Sequence, residues 1–212
     1  MTADTARFLT IEGIEGVGKS TQVEKLAATL RARGIELCVT REPGGTPLAE
    51  KIRALVLEAH DELVPPSAEL LLMFAARAVH LANLIEPGLR RGQWVLCDRF
   101  TDASYAYQGA GRALGTQAVA MLENYVQGTR RPDLTFLLDM PVAQAMQRVH
   151  RRGAGADRFE AERAEFFERV RRAYLARATA EPRRIVVVDA TRDADAVART
   201  ILAALREKSW IS

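Results

Sequence analysis

The sequence predicts an α/β fold, a doubly wound parallel sheet of five strands with helices on both faces. Three observations carry this. Short runs rich in branched and aromatic residues recur at 8–11, 94–97, 134–138 and 185–188, with a weaker one at 37–40. Longer stretches with helical spacing separate them. Within each run apolar residues stand at consecutive positions, as a strand covered on both faces requires, and not at alternate ones.

Taken in order, the run at 8–11 enters a glycine-rich turn, and a helix over 23–30 follows and stops at Gly34. After the run at 37–40 come helices at 48–57 and 68–89, then the run at 94–97. A helix at 118–126 precedes the run at 134–138, and helices at 142–149 and 166–178 lead to the run at 185–188 and a last helix at 194–205. Two segments fit neither period and read as irregular: 98–115 (DRFTDASYAYQGAGRALG) and 151–160 (RRGAGADRFE). Long irregular segments in a compact domain are functional or disordered.

No repeat, low-complexity tract or linker divides the 212 residues, so a single domain over 1–212 is expected. The apolar stretch 70–85 is broken by Arg77, His80 and Asn83, which argues against a membrane span. The run at 8–11, flanked by Asp4, Arg7 and Glu12, is too short and wrongly charged for a signal peptide. Cys38 and Cys97 have neither close spacing nor a neighbouring histidine, the usage of a reducing compartment, so a cytoplasmic protein is expected. Thirty basic residues oppose 27 acidic ones, and the basic pairs are short and scattered, which excludes the dense stripe of a nucleic-acid binder.

The strongest local signal is Gly13-Ile14-Glu15-Gly16-Val17-Gly18-Lys19-Ser20, a complete G-x-x-x-x-G-K-[ST] between a predicted strand and a predicted helix. Its glycines let backbone N–H groups converge on phosphate oxygens, and the helix N-terminus adds its dipole. Lys19 would bridge the outer phosphates and the Ser20 hydroxyl would ligate Mg²⁺. Nucleotide binding on a P-loop follows, and a nucleotide site alone leaves many functions open. Guanine reading by Asn-Lys-x-Asp is excluded, because Asn83 and Asn124 are followed by Leu84 and Tyr125.

The phosphoryl acceptor leaves a trace in charges at strand ends. Asp98 ends the 94–97 run and is favoured as a second Mg²⁺ ligand, because Arg99 follows it; Asp139, ending the 134–138 run, is its rival. Arg41 and Arg99 stand at strand ends, and Arg77 interrupts an apolar helix, where an unpaired charge is costly. Three such arginines could clamp one phosphate. None of His60, His80 and His150 has a plausible partner for general-base work, which suits an acceptor that is already a phosphate monoester.

With these pieces in place the chain resembles the thymidylate kinase family, of the bacterial kind, along nearly its whole length. The residues that carry the resemblance are GIEGVGKST at 13–21, TREPGGT at 40–46, FAAR at 74–77, DRF at 98–100, SYAYQG at 104–109, RPDLTFLLD at 131–139 and DRFE at 157–160. It implies a nucleoside monophosphate kinase-like fold with a lid at about 149–161, a homodimer, and transfer of the γ-phosphoryl of ATP to dTMP with Mg²⁺. ATP would lie on 13–20 and Thr21, with Arg151 and Arg152 of the lid. Glu15 would face the sugar and acceptor phosphate, Arg41 and Arg99 would hold that phosphate, and Arg77 and Gln108 would bond the thymine beside Ser104. Tyr107 would crowd the sugar's 2′ position, and Phe74, or Met73 in its stead, would lie on the base. Gly16 follows Glu15, so the loop brings no arginine of its own, and the resemblance passes the neutralising role to Arg151, Arg152 or Arg158, with Arg158 set by DRFE. The dimer surface would involve the helices at 68–89 and 47–58.

Overall fold

The computed structural model describes residues 6–58, 60–151 and 160–212. Strands β1 (Phe8–Glu12), β2 (Leu37–Arg41), β3 (Trp94–Asp98), β4 (Leu134–Asp139) and β5 (Ile185–Asp189) form one parallel sheet in the order β2-β3-β1-β4-β5. Each begins where its apolar run begins and continues one residue beyond it, and in all five cases the added residue is charged: Glu12, Arg41, Asp98, Asp139 and Asp189. Apolar patterning stops at a charge, whereas the backbone ladder does not. Register aligns these charges along one edge, with Arg41 beside Asp98 and Asp139 beside Asp189.

The chain winds from β1 out to β2 and β3, then crosses to β4 and β5 on the other side of β1, so the C-terminal edge of the central strands is where a crevice opens. Residues of one strand alternate between two cores. Leu9, Ile11, Leu96 and Phe136 join the larger cluster, which includes Leu26, Leu30, Tyr174, Val197 and Ile201. Phe8, Val95 and Cys97 face the other way, onto Leu81, Ile85, Leu89 and Phe100. β2 is a sheet edge with only intermediate or exposed residues, which is why its run reads weakly in the sequence.

The helices are α1 (Lys19–Ala32), α2 (Pro47–Leu57), α3 (Pro66–His80), α4 (Glu86–Arg90), α5 (Thr101–Ser104), α6 (Thr116–Gln127), α7 (Val142–His150), α8 (Glu160–Ala180) and α9 (Ala194–Glu207). A π-helical turn, Leu81–Ile85, joins α3 to α4 and makes a continuous run of 25 residues, long and apolar enough to cross a membrane by length and composition. Here it is a core element: Arg77 and His80 are fully buried in it and both meet the carboxylate of Glu42.

The irregular reading of 98–115 is corrected. α5 runs into a π-helix, Tyr105–Gly111, whose wider turn does not repeat at the α-helical spacing, so the periodicity test misses it. Asp102 in α5 ties this segment down through Arg177 of α8 and Arg184 ahead of β5, all three bonds between 2.7 and 2.9 Å.

Candidate active site

The loop between β1 and α1 is shaped by glycines with positive φ. Gly18 (φ 96°) caps α1, and Gly16 (φ 81°) lies so close to α7 that an added Cβ would collide with the Ala145 carbonyl oxygen. No larger residue fits at Gly16, which is why this loop carries no arginine there. Lys19 opens α1 with its ammonium folded back onto the Gly13 and Ile14 carbonyls at 3.1 and 3.0 Å. Burial, with the charge of Arg99 second, pushes its pKa down to about 8. A cavity of about 410 Å³ opens over the loop, lined by Glu15, Gly16, Gly18, Lys19, Ser20 and Thr21, with Val149 of α7 on its far side.

A second cavity, of about 330 Å³, lies toward α2 and α3, lined by Arg41, Arg53, Glu69, Met73, Tyr107 and Gln108 among others. Glu15, Asp98 and Arg99 line both cavities, so the two meet at the C-terminal end of β3. Arg99 holds a left-handed backbone (φ 70°). Such a conformation persists only when its surroundings fix it. Its N–H donates to the Ile11 carbonyl at 3.0 Å, its carbonyl accepts from the Cys97 thiol at 2.9 Å, and the next N–H, of Phe100, donates to Glu12 Oε1 at 2.6 Å. The turn aims the guanidinium at Glu15 Oε1, 3.0 Å away.

Glu15 accepts a second bond from the Tyr107 hydroxyl at 2.7 Å. Burial, with the Glu15 charge contributing, raises the Tyr107 phenol far above its ordinary range, so it stays an O–H donor. Arg41 reaches the acidic side chain of Glu50 with 3.0 and 2.9 Å contacts. Arg53 lines the same cavity and donates to the Pro43 carbonyl at 2.7 Å, just after the cis Glu42–Pro43 bond. Arg41, Arg53, Arg99 and Arg112 line this chamber together with Glu15, Glu42, Glu69 and Asp98, so its wall carries both signs of charge.

Behind the chamber wall, Arg77 Nε donates to Glu42 at 2.8 Å and its Nη2 donates to Ser104 Oγ at 3.0 Å, while Nη1 is buried without a protein partner. Gln108 Nε2 donates to Glu69 at 2.8 Å, and Gln108 Oε1 is likewise buried and unpartnered. A buried donor and a buried acceptor left unsatisfied each cost free energy until a partner meets them. Asp98 Oδ1 is a third orphan, buried at the junction of the cavities. Its rival Asp139 is bound by Arg171 of α8 through two contacts of 2.7 and 2.9 Å and lines neither cavity.

The comparisons decide the family. The family description "Thymidylate kinase" matches residues 11–201. A thymidylate kinase of Chromohalobacter salexigens is 58% identical over 207 residues, covering 96% of this chain and 98% of that protein. One of Pseudomonas putida is 56% identical over 198 residues, covering 93% and 95%. The crystal structure of thymidylate kinase from Ehrlichia chaffeensis superposes with a TM-score of 0.78 at 32% identity, covering 95% of this chain and 98% of that one. The chain belongs to the thymidylate kinase family.

Of the residues expected in a thymidylate kinase site, Glu15, Gly16, Gly18, Lys19, Ser20, Thr21, Arg41, Asp98, Arg99, Tyr107 and Gln108 line the cleft, whereas Ile14 and Val17 are core side chains, Gly13 lines neither cavity, and Arg77 and Ser104 are fully buried behind the wall. Phe74 is not on the wall. It is buried with Leu70, Tyr105 and Val119, its ring 4.5 Å beneath the Arg77 guanidinium, and Met73 takes the wall position. One residue along a helix turns the side chain by about 100°, and that step separates wall from core. His80 also corrects the reading of the histidines: Nδ1 lies 3.0 Å from Glu42 and Nε2 2.8 Å from Thr40 Oγ1, although neither cavity is lined by it. Of the lid arginines, Arg151 is exposed at the end of α7, and Arg152 and Arg158 lie outside the described residues. Sequence reasoning missed Arg53, Glu69 and Arg112, whose motif signal is nil because each reaches the cleft only through the packing of α2, α3 and the π-helix.

Proposed function

We propose the following division of labour for the reaction of this family, transfer of the γ-phosphoryl group of ATP to dTMP to give dTDP and ADP. ATP lies over the loop, with its outer phosphates on Lys19 and the backbone N–H groups of 13–21. dTMP lies in the second chamber, with its phosphate on Arg41 and Arg99, assisted by Arg53. The observation that carries this reading is the shared wall: Glu15, Asp98 and Arg99 belong to both cavities, so an acceptor phosphate in one chamber and a terminal phosphate in the other would face each other there.

Transfer asks little proton chemistry of the protein. An oxygen of the dTMP phosphate, already anionic, forms the new bond to phosphorus as the bond to the ADP oxygen breaks, and the cations neutralise charge on either side. Glu15, tied to Arg99 and Tyr107, orients the guanidinium and faces the sugar. The orphan Arg77 Nη1 and Gln108 Oε1 match a thymine carbonyl and the thymine N3–H. Met73 lines the apolar side of the base, and Tyr107 fills the space a 2′-hydroxyl would need.

The residues at the junction fit Mg²⁺. Asp98 offers a buried oxygen with no protein partner, and the Ser20 hydroxyl lines the same cavity. Among the described residues no group of three or more acidic, histidine or cysteine side chains could hold a metal by itself, consistent with an ion bound through one carboxylate, one hydroxyl and phosphate oxygens. When bound, Mg²⁺ neutralises charge on the transferring group.

We further read the chain as one cytoplasmic kinase domain with a lid at about 149–161 that supplies Arg151, Arg152 or Arg158, and as a homodimer. Large apolar side chains on the outer faces of α2, α3 and α6, among them Leu48, Leu55, Leu71, Met121 and Tyr125, are exposed and support a dimer surface. Light scattering measures the stoichiometry. The substrate reading is tested by a panel of monophosphate acceptors with ATP: fastest turnover with dTMP, slower with dUMP and little with AMP, CMP or GMP is expected. Equal rates across the panel would overturn it.

A further inference from the structure

We infer that Glu69 of α3 is a specificity-determining positioning residue: it fixes which end of the Gln108 amide faces the acceptor chamber, and so selects a base that carries an N–H at that edge. The inference rests on the reading of the chamber as the dTMP site.

A glutamine amide has one accepting end and one donating end, and turning it over reverses what it recognises. Gln108 is nearly fully buried, and its Nε2 lies 2.8 Å from Glu69 Oε1. An ionised carboxylate accepts and cannot donate, so the end of Gln108 that meets Glu69 must be the NH₂. Glu69 is itself held in place by Arg112, whose Nε and Nη2 approach Oε2 at 3.2 and 3.1 Å and so fix the direction of the carboxylate. Both Glu69 and Gln108 line the chamber. The remaining atom, Gln108 Oε1, is therefore left as a buried acceptor without a protein partner.

Arg77 needs no such orienting neighbour. A guanidinium only donates, whichever way it turns, so the orphan Nη1 always asks for an acceptor. Thymine offers an N3–H next to a carbonyl and satisfies both. Cytosine offers a bare N3 next to an amino group and fails both. If the Gln108 amide could turn over, its NH₂ would meet the bare N3 of cytosine, and one of the two criteria would be lost. Glu69 prevents that turn at the cost of no contact with the substrate's reacting end.

The test is kcat/KM for dTMP and dCMP, with ATP, in the wild type, Glu69→Gln and Glu69→Asp. A glutamine at 69 can donate or accept and leaves the Gln108 amide free to turn. Glu69→Gln is expected to lower kcat/KM for dTMP about fivefold to tenfold, mainly through KM, and to shrink the dTMP:dCMP preference by about tenfold, the worth of one buried hydrogen bond. Arg77 still opposes the cytosine amino group, so the preference narrows without vanishing. Glu69→Asp retains an acceptor-only neighbour and is expected to keep a preference within threefold of wild type. The ratio is independent of the fraction of folded enzyme, so loss of stability does not imitate the effect. A preference within twofold of wild type in Glu69→Gln, or an equal collapse in both variants, would overturn the role of Glu69. A wild type that turns over dCMP as well as dTMP would overturn the substrate reading instead.

Discussion

Glu12 is the last residue of β1, fully buried, and its two oxygens accept from the Phe100 N–H at 2.6 Å and the Tyr174 hydroxyl at 2.7 Å. Burial, with the charge of Asp102 second, pushes its pKa up from 4.5 to about 8. The folded state therefore keeps its proton where the open chain has lost it. At about 1.36 kcal/mol for each tenfold change in proton affinity, a rise from 4.5 to about 8 corresponds to roughly 5 kcal/mol at most. The sign is that of a raised pKa: the stability is fully present below pH 4.5 and is lost as pH rises through 8. Glu12→Gln replaces the carboxyl by a group of the same shape that does not titrate and can still accept from Phe100. Urea unfolding at pH 5, 6, 7 and 8, followed by circular dichroism, should show wild-type stability falling by up to about 1.4 kcal/mol per pH unit and the variant nearly level. The variant should match the wild type at pH 5 and exceed it by a few kcal/mol at pH 8. Asp102 and Glu181 are shifted downward, so their contributions change below this window, and Lys19 is shifted down to about 8, so its change lies above it. Parallel curves for the two proteins would refute the reasoning.

Three further outcomes follow from the cleft. ATP affinity should fall as pH rises above about 8, where Lys19 loses its proton, and Lys19→Ala should remove that dependence; a nucleotide titration from pH 6 to 10 measures both. Asp98→Asn should lower kcat by about 10²–10³-fold and raise the Mg²⁺ concentration for half-maximal rate, whereas Asp139→Asn should act on thermal stability alone, since its partner is Arg171. Met73→Ala should raise KM for dTMP with little loss of stability, while Phe74→Ala should cost about 3–5 kcal/mol in urea unfolding, and the reverse pattern would place the wrong one of them on the wall.

The strands were legible because burial on both faces leaves an unbroken apolar run, and the phosphate loop because its residues are consecutive. What was not legible depends on three-dimensional partners. Asp98 and Asp139 both end parallel strands, and the sequence favours Asp98 only through the Arg99 that follows it; Arg171, arriving from α8, is what occupies Asp139. Phe74 and Met73 are neighbours, and which faces the cleft depends on the rotation of α3 against α6 and the π-helix. Glu12 looks like the polar end of a strand, but Tyr174 and Phe100 close over it from residues far along the chain. The segment 98–115 gave no period because its turns are not α-helical.

That π-helix makes chain length itself a determinant of the site. Tyr105 on it is fixed in the interior by a bond from its hydroxyl to Glu123, while Tyr107 and Gln108 face the cleft a few residues on. Removing Ala106 would let the segment close to an ordinary α-helix and swing everything beyond the gap by about 100°. Gln108 would leave Glu69 and Tyr107 would leave Glu15, with composition, charge and hydrophobic content almost unchanged. Surface loops of such a domain tolerate insertions and deletions; these seven residues, by their wide turn, count residues as strictly as a catalytic side chain fixes chemistry.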